Sequence, residues 1–208
     1  MNLHLTTVSA DMREIAQGVF TACDANYYLA GGTALALQIG HRKSVDFDYF
    51  IANDIDTKQL QQQLTAIFPT KKIDITFEQK NTLWCLIEGV KVSFITRLDA
   101  LVRPVATEGM FRLASVRDIA VMKLSAICSR EEYKDYFDLA CMTQHADARS
   151  WVTDWERIYA NVDPTSWLVA LAAIDSMIRI PLDIFPPYNQ IDVKTVLRKT
   201  ITDITRLF

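Results

Sequence analysis

Residues 27–50 read YYLAGGTALALQIGHRKSVDFDYF, and this stretch decides the fold. A short apolar run at 27–30 ends in Gly31-Gly32. Thr33 then stands where a helix N-cap belongs, residues 34–39 continue as an alanine- and leucine-rich helix, and Gly40 is a natural stop. Residues 44–51 alternate, with Val45, Phe47 and Tyr49 on one side and Ser44, Asp46, Asp48 and Phe50 on the other. The expected strand has one apolar face and one carboxylate face. Ordinary helix-turn-strand punctuation would produce this pattern, and so would a phosphate-and-metal site.

Asp46 and Asp48, at i and i+2, leave the same face of the strand. Two like charges held that close are costly without a cation between them, and a hard divalent ion such as Mg²⁺ meets that need. The solvated face of an edge strand would also tolerate them. Gly31-Gly32, between strand and helix, lets backbone N–H groups at a helix N-terminus approach a phosphate closely, and the Thr33 hydroxyl either adds a donor or only caps the helix. Thirteen residues separate Gly32 from Asp46, so a phosphate cradle and a carboxylate pair would lie side by side.

The chain around this stretch has 208 residues, half of them hydrophobic and 23% charged, with a formal net charge of −3. That is a globular composition without a basic coat for nucleic acid. Residues 89–125 nevertheless carry six basic residues against three acidic ones, so a local anion-facing patch is open. Cys23, Cys85, Cys128 and Cys141 are scattered, which indicates neither a zinc site nor a disulfide framework and reads as buried thiols. No apolar run reaches the roughly 18 residues of a membrane span, and no signal-peptide pattern opens the chain, so the expected location is the cytoplasm with no membrane partner.

Periodicity predicts an amphipathic helix over 7–23, a helix over 57–68, and strands over 73–78, 83–88 and 90–96 joined by hairpin-length links. From residue 115 onward the period is helical, with helices expected over 116–129, 131–143, 148–159, 165–179 and about 193–207. A linking region at 98–114, containing Pro104 and Gly109, divides an α/β part, 1–114, from a helical part, 115–208. The last helix carries Lys194, Arg198, Lys199 and Arg206 against Asp203, which suits either a phosphate backbone or a solvated face. Trp151, Trp155 and Trp167 fall on helical patterns as core residues.

Gly31-Gly32, the thirteen-residue gap and Asp46-Phe47-Asp48 resemble the signature of the DNA polymerase β-type nucleotidyltransferase superfamily. The string GGTALALQIGHRKSVDFDYF is similar, more narrowly, to the AbiEii/AbiGii family of nucleotidyltransferase toxins. Farther on, SVRDIAVMKLSAICSREEYKDYFDL resembles that family's later motifs, mapping to Lys123, Lys134, Asp135 and Asp138. The resemblance implies an α+β fold, a polymerase β-like mixed sheet with flanking helices followed by a C-terminal helical region that completes the cleft.

The same resemblance implies that Gly31, Gly32 and Thr33 hold the phosphates of an NTP, with Ser44 and Arg42 as further nucleotide-binding candidates. Arg42 would touch phosphate or neutralise Asp46 or Asp48. Asp46 and Asp48 would bind Mg²⁺, Lys123 would neutralise the triphosphate, and Asp135 and Asp138 would join the catalytic set. From the residues alone, Lys123 leaves an apolar helix stripe and either snorkels to solvent or reaches a buried anion, and Asp135 and Asp138 with Lys134 are equally a surface charge cluster. The implied activity is nucleotide transfer to an RNA, including a tRNA end, or to a protein hydroxyl, by a toxin restrained by a cognate antitoxin.

The pattern breaks at one point. The superfamily supplies a third carboxylate from a later strand, and the position expected to carry it in VKVSFI is Ser93, a poor metal ligand and no base by itself. Glu88 or Asp74 would have to substitute. A catalytically inactive nucleotide-, RNA- or partner-binding descendant is therefore the alternative. Metal-dependent phosphate hydrolysis is a weaker third reading, because His4, His41 and His145 are isolated in sequence.

Overall fold

The computed structural model describes residues 2–207, which leaves Met1 and Phe208, the outermost positions of the expected domains, outside the description. The described residues form an α+β protein whose contacts divide into two compact units. The first holds residues up to Gly40, then Ser44–Ala100 and Pro104–Ala114. The second holds His41–Lys43, Leu101–Arg103 and everything from Ser115.

In the first unit, α1 (Ala10–Ala22) is followed by β1 (Tyr28–Ala30), α2 (Gly31–Ile39), β2 (Asp46–Ile51) and α3 (Thr57–Ile67). Then come β3 (Ile73–Gln79), β4 (Thr82–Ile87), β5 (Val90–Thr96), β6 (Ala106–Glu108) and β7 (Phe111–Leu113). The strands make one mixed sheet in the order β3-β4-β5-β2-β1-β7-β6, with β2 parallel to β5 and β1 parallel to β7. One face buries Phe47, Tyr49, Ile51, Leu83, Cys85, Ile87, Val92 and Phe94, the alternate positions of β2, β4 and β5. Burying each such side chain is worth roughly 1.5–3 kcal/mol, which fixes which face of β2 points inward and therefore where its two aspartates must point.

Three expectations for this unit change. The strand opens at Asp46 instead of residue 44, so Val45, expected on the apolar face, is 75% exposed. Thr33 does not cap a helix: α2 already begins at Gly31, and Thr33 lies inside its first turn, buried. The 98–114 region is more than a link, because β6 and β7 pair as a hairpin and β7 joins β1 through Leu29 and Leu113. Strands of three residues are too short to show alternation.

The second unit contains α4 (Val116–Ser129), α5 (Tyr133–Met142), α6 (Ser150–Ile158), α7 (Thr165–Ala172) and α8 (Val193–Thr205). Ser115 caps α4 by accepting from the Asp118 N–H, and buried Asp118 in turn accepts from the backbone N–H groups of Val102 and Arg103. A buried carboxylate is costly without such donors, and this arrangement draws residues 101–103 into the helical unit. Trp151, Trp155 and Trp167 are core residues. On α8, Lys194 reaches the Asp175 carbonyl, Arg198 pairs with Asp175 at 2.7 Å and Arg206 lies 3.8 Å from Asp203, so three of the four expected phosphate-backbone cations have partners within the unit. Cys23, Cys85 and Cys141 are buried, whereas Cys128 is exposed. No helix among the described residues is long and apolar enough to cross a membrane.

Candidate active site

Gly31 has φ +67°, a backbone conformation that L side chains rarely adopt, and a Cβ placed there would meet Asp48 Oδ2 at 2.8 Å. Both facts have one consequence. The missing side chain lets α2 begin immediately at the end of β1 with its first residue close against the Asp48 carboxylate. Thr33, one turn in, keeps its Oγ1 2.7 Å from Ser44 Oγ and donates to the Asp46 carbonyl. It thereby ties the helix to the start of β2. Ser44 Oγ stands 3.4 Å from Asp46 Oδ1.

Asp46 and Asp48 share the face of the sheet opposite the core, and both are half-buried. Register places Ala30, Asp48, Ser93, Trp84 and Phe77 in one row across five strands, and Asp46, Lys91, Leu86 and Asp74 in the row beside it. Residues paired in register share a face. Ser93 is therefore on the carboxylate face, where its Oγ donates to Asp48 Oδ1 at 2.7 Å. The position expected for a third carboxylate is thus the correct neighbour, but it holds a hydroxyl.

Neither substitute carboxylate reaches the site. Asp74 is three strands from Asp46 in its row, roughly 14 Å at ordinary strand spacing, and it pairs with Lys72. Glu88 sits in the β4–β5 turn with φ +48°, accepting from the Lys72 N–H at 2.6 Å. Among the described residues no group of three or more His, Cys, Asp or Glu side chains converges as a metal cage. The donor set is two carboxylates on one strand face beside a helix N-terminus. This set fits Mg²⁺, which keeps several waters and is commonly held by one or two carboxylates plus substrate phosphates.

The later motif residues form a buried ion cluster in the helical unit. Asp138 is fully buried and receives Arg42 bidentately, Nε to Oδ1 at 2.7 Å and Nη2 to Oδ2 at 2.9 Å, with His41 Nε2 also 2.8 Å from Oδ1. Lys123 Nζ lies 2.7 Å from Asp138 Oδ2 and also binds buried Asp135, which Arg130 meets at 3.0 Å. The surface-cluster reading of Asp135 and Asp138 is therefore wrong, since both have no exposed surface. Only Lys134 fits it, half-exposed and paired with Glu132. Lys123 reaches a buried anion instead of snorkelling, and Arg42 meets Asp138.

Burial alone would raise the Asp138 carboxyl, but the Lys123 and Arg42 charges override it and hold it well below the usual carboxylate range. For Lys123, burial favours the neutral amine and is outweighed by Asp138 and Asp135. His41 goes the other way: burial lowers its pKa despite Asp138, so it is neutral, and its Nδ1 has no partner among the described residues.

The residue pattern signalled neither His41 as a partner of Asp138 nor Trp84, Lys91 and Phe77 as neighbours of the carboxylates. For the latter three, the hairpin-length links at 80–81 and Gly89 were the usable signal, because they fix the register that aligns the strands.

Residues 17–185 match the family model described as nucleotidyl transferase AbiEii toxin, type IV toxin–antitoxin system. An uncharacterized protein of Aquifex aeolicus is 34% identical over 161 residues, covering 74% of this chain and 76% of that protein. Among solved structures, MenT4, a nucleotidyltransferase toxin from Mycobacterium tuberculosis, superposes with a TM-score of 0.52 at 13% identity, covering 95% of this chain and 84% of that one. JHP933 from Helicobacter pylori gives 0.53 at 15%, covering 94% and 91%. At those identities the likeness concerns the fold alone. With the family model spanning most of the chain and the GG…DxD arrangement built as described, this protein belongs to the AbiEii family of nucleotidyltransferase toxins of type IV toxin–antitoxin systems.

Proposed function

We propose that this chain transfers a nucleotide from an NTP to an RNA hydroxyl in an Mg²⁺-dependent reaction, as the toxin of a pair whose antitoxin restrains it in the cytoplasm. The observation that carries this reading is Gly31 opening α2 directly against Asp48, with Asp46 on the same face. The N–H groups of Gly31, Gly32 and Thr33 hold phosphate oxygens at the helix N-terminus, where the dipole favours an anion, and Ser44 positions Asp46. Asp46 and Asp48 would hold Mg²⁺, which supplies charge neutralisation at the α-phosphate and the leaving pyrophosphate.

Ser93 fixes the orientation of Asp48 by donating to Oδ1. The acceptor proton passes to one of the two aspartates or to water, since no further carboxylate converges there among the described residues. Within the helical unit Arg42 and Lys123 share Asp138, Lys123 and Arg130 share Asp135, and Arg130 also lies 3.8 Å from Glu132.

Incubation with each labelled NTP, Mg²⁺ and total RNA tests the proposal. Label should appear on RNA, and Asp46→Ala or Asp48→Ala should abolish it while the chain stays folded, Asp48→Ala losing only the few degrees of melting temperature that its hydrogen bond from Ser93 supplies. Ser93 supports a second reading, a non-catalytic nucleotide- or RNA-binding descendant. Mg²⁺-linked NTP binding without label on any acceptor would establish that reading instead.

A further inference from the structure

The row that carries Asp48 and Ser93 continues onto Trp84 and Phe77, whose rings lie 4.8 Å apart at 41°. Phe77 is 39% exposed, and the Trp84 side chain is partly so. Exposed Lys91, the register partner of Asp46, places Nζ 5.1 Å from the centre of the Trp84 ring. The apolar core under β4 is made by Leu83, Cys85 and Ile87 on the opposite face, so these two rings and the cation lie outside it.

We propose that Phe77, Trp84 and Lys91 bind the 3′-terminal nucleotide of a single-stranded RNA acceptor. The terminal base takes the place Lys91 holds over the Trp84 ring, and the displaced ammonium contacts a phosphate. The proposal rests on the transferase reading of Asp46 and Asp48 and adds to it the residues that hold the end of the acceptor.

Direction comes from in-line displacement. The acceptor oxygen forms its bond to the α-phosphorus as the bond to the β-phosphate oxygen breaks. Pyrophosphate leaves with that electron pair, and the hydroxyl proton goes to an aspartate or water. Attacking and leaving oxygens lie on opposite sides of phosphorus. The leaving side is the α2 N-terminus, beyond Ala30 in the row, so the attacking side is that of Ser93 and Trp84. Two strand spacings, about 10 Å, separate Trp84 from Asp48 along the backbone row, a span that one nucleotide's base, ribose and phosphate bridge. Aromatic rings offer stacking to any base, and a neighbouring cation answers the phosphate charge. A peptide hydroxyl would use neither.

Tryptophan emission isolates this subsite, because Trp151, Trp155 and Trp167 are 1%, 3% and 0% exposed. Titrating the whole chain with a short single-stranded oligoribonucleotide, without NTP, should quench emission. Trp84→Phe should remove the signal. Phe77→Ala and Lys91→Gln should weaken the titration, the latter also lowering its salt dependence by about one phosphate contact. In the transfer assay Trp84→Leu should raise KM for RNA between about fivefold and a hundredfold with KM for NTP unchanged, and Trp84→Phe should restore it.

Quenching by Mg²⁺-NTP in place of RNA would assign the rings to the NTP base and overturn the proposal. So would label on protein instead of RNA, or an RNA KM untouched in all three positions while transfer continues. Quenching by RNA in a chain that transfers nothing would sink the transferase reading and leave the RNA subsite standing.

Discussion

Replacing Ser93 by aspartate asks the sheet what its carboxylate face is for. Ser93 Oγ is 2.7 Å from Asp48 Oδ1, so Ser93→Asp sets a second carboxylate within about 4 Å of Asp48. At the effective dielectric of a half-buried site, about 20, two such charges repel by roughly 4 kcal/mol. The lost hydrogen bond adds about 1 kcal/mol. In a chain of this size each kcal/mol moves Tm by about 2–4 °C, so without divalent metal the variant should melt about 10–20 °C below the parent. Mg²⁺ then becomes the missing counter-ion. At a hundred times the Kd of the added site it returns about 2.7 kcal/mol beyond what the parent gains, or roughly half the deficit, while Ser93→Ala loses only its hydrogen bond and responds to Mg²⁺ no more than the parent does. Thermal unfolding with and without Mg²⁺ reads this directly. A deficit that Mg²⁺ leaves unchanged would refute the assignment of this face as a metal site.

Gly31→Ala combines a left-handed backbone, costing about 1–2 kcal/mol, with a Cβ 2.8 Å from Asp48 Oδ2, so it should weaken Mg²⁺-NTP binding as well as stability. Gly89→Ala, at φ +80° with nothing within 4 Å of its Cβ, should cost the backbone term alone, and calorimetry with NTP titration separates the two. Asp138→Asn leaves Lys123 and Arg42 without their shared buried counter-charge and should lower the unfolding free energy by about 3–5 kcal/mol in urea. The pH dependence of stability should show two steps. His41 has a folded pKa below its ordinary 6.5, so the unfolded chain binds the extra proton and stability falls as pH drops below about 6.5, a slope His41→Gln removes. Asp138, also depressed, contributes stability that is present above the ordinary carboxylate pKa and lost as pH falls below it toward the folded value, a second and more acidic step.

Side-chain periodicity made β2 legible, because Phe47 and Tyr49 had to face the core and the intervening aspartates therefore had to leave together. Helix α4 was legible for a similar reason, its apolar stripe following a Ser115 cap with Asp118 in the first turn. Thr33 was not, since nothing in GGT distinguishes a capping threonine from one already inside a helix. That depends on Gly31 taking a positive φ, which glycine permits without requiring it. The Lys123 cluster was half legible. Helical spacing put Asp135 and Asp138 on one face, but whether a charged face is wet or buried depends on what packs against it. The answer lay in His41 and Arg42, about a hundred residues earlier in the chain. Ser93 shows the remaining limit. Alternation gave its face, yet only the parallel β2–β5 register put it opposite Asp48, and the same register brought Trp84 into line behind it. Pairing between distant strands is a long-range property, so the row that joins an aromatic pair to a carboxylate site belongs to the sheet and to none of its strands alone.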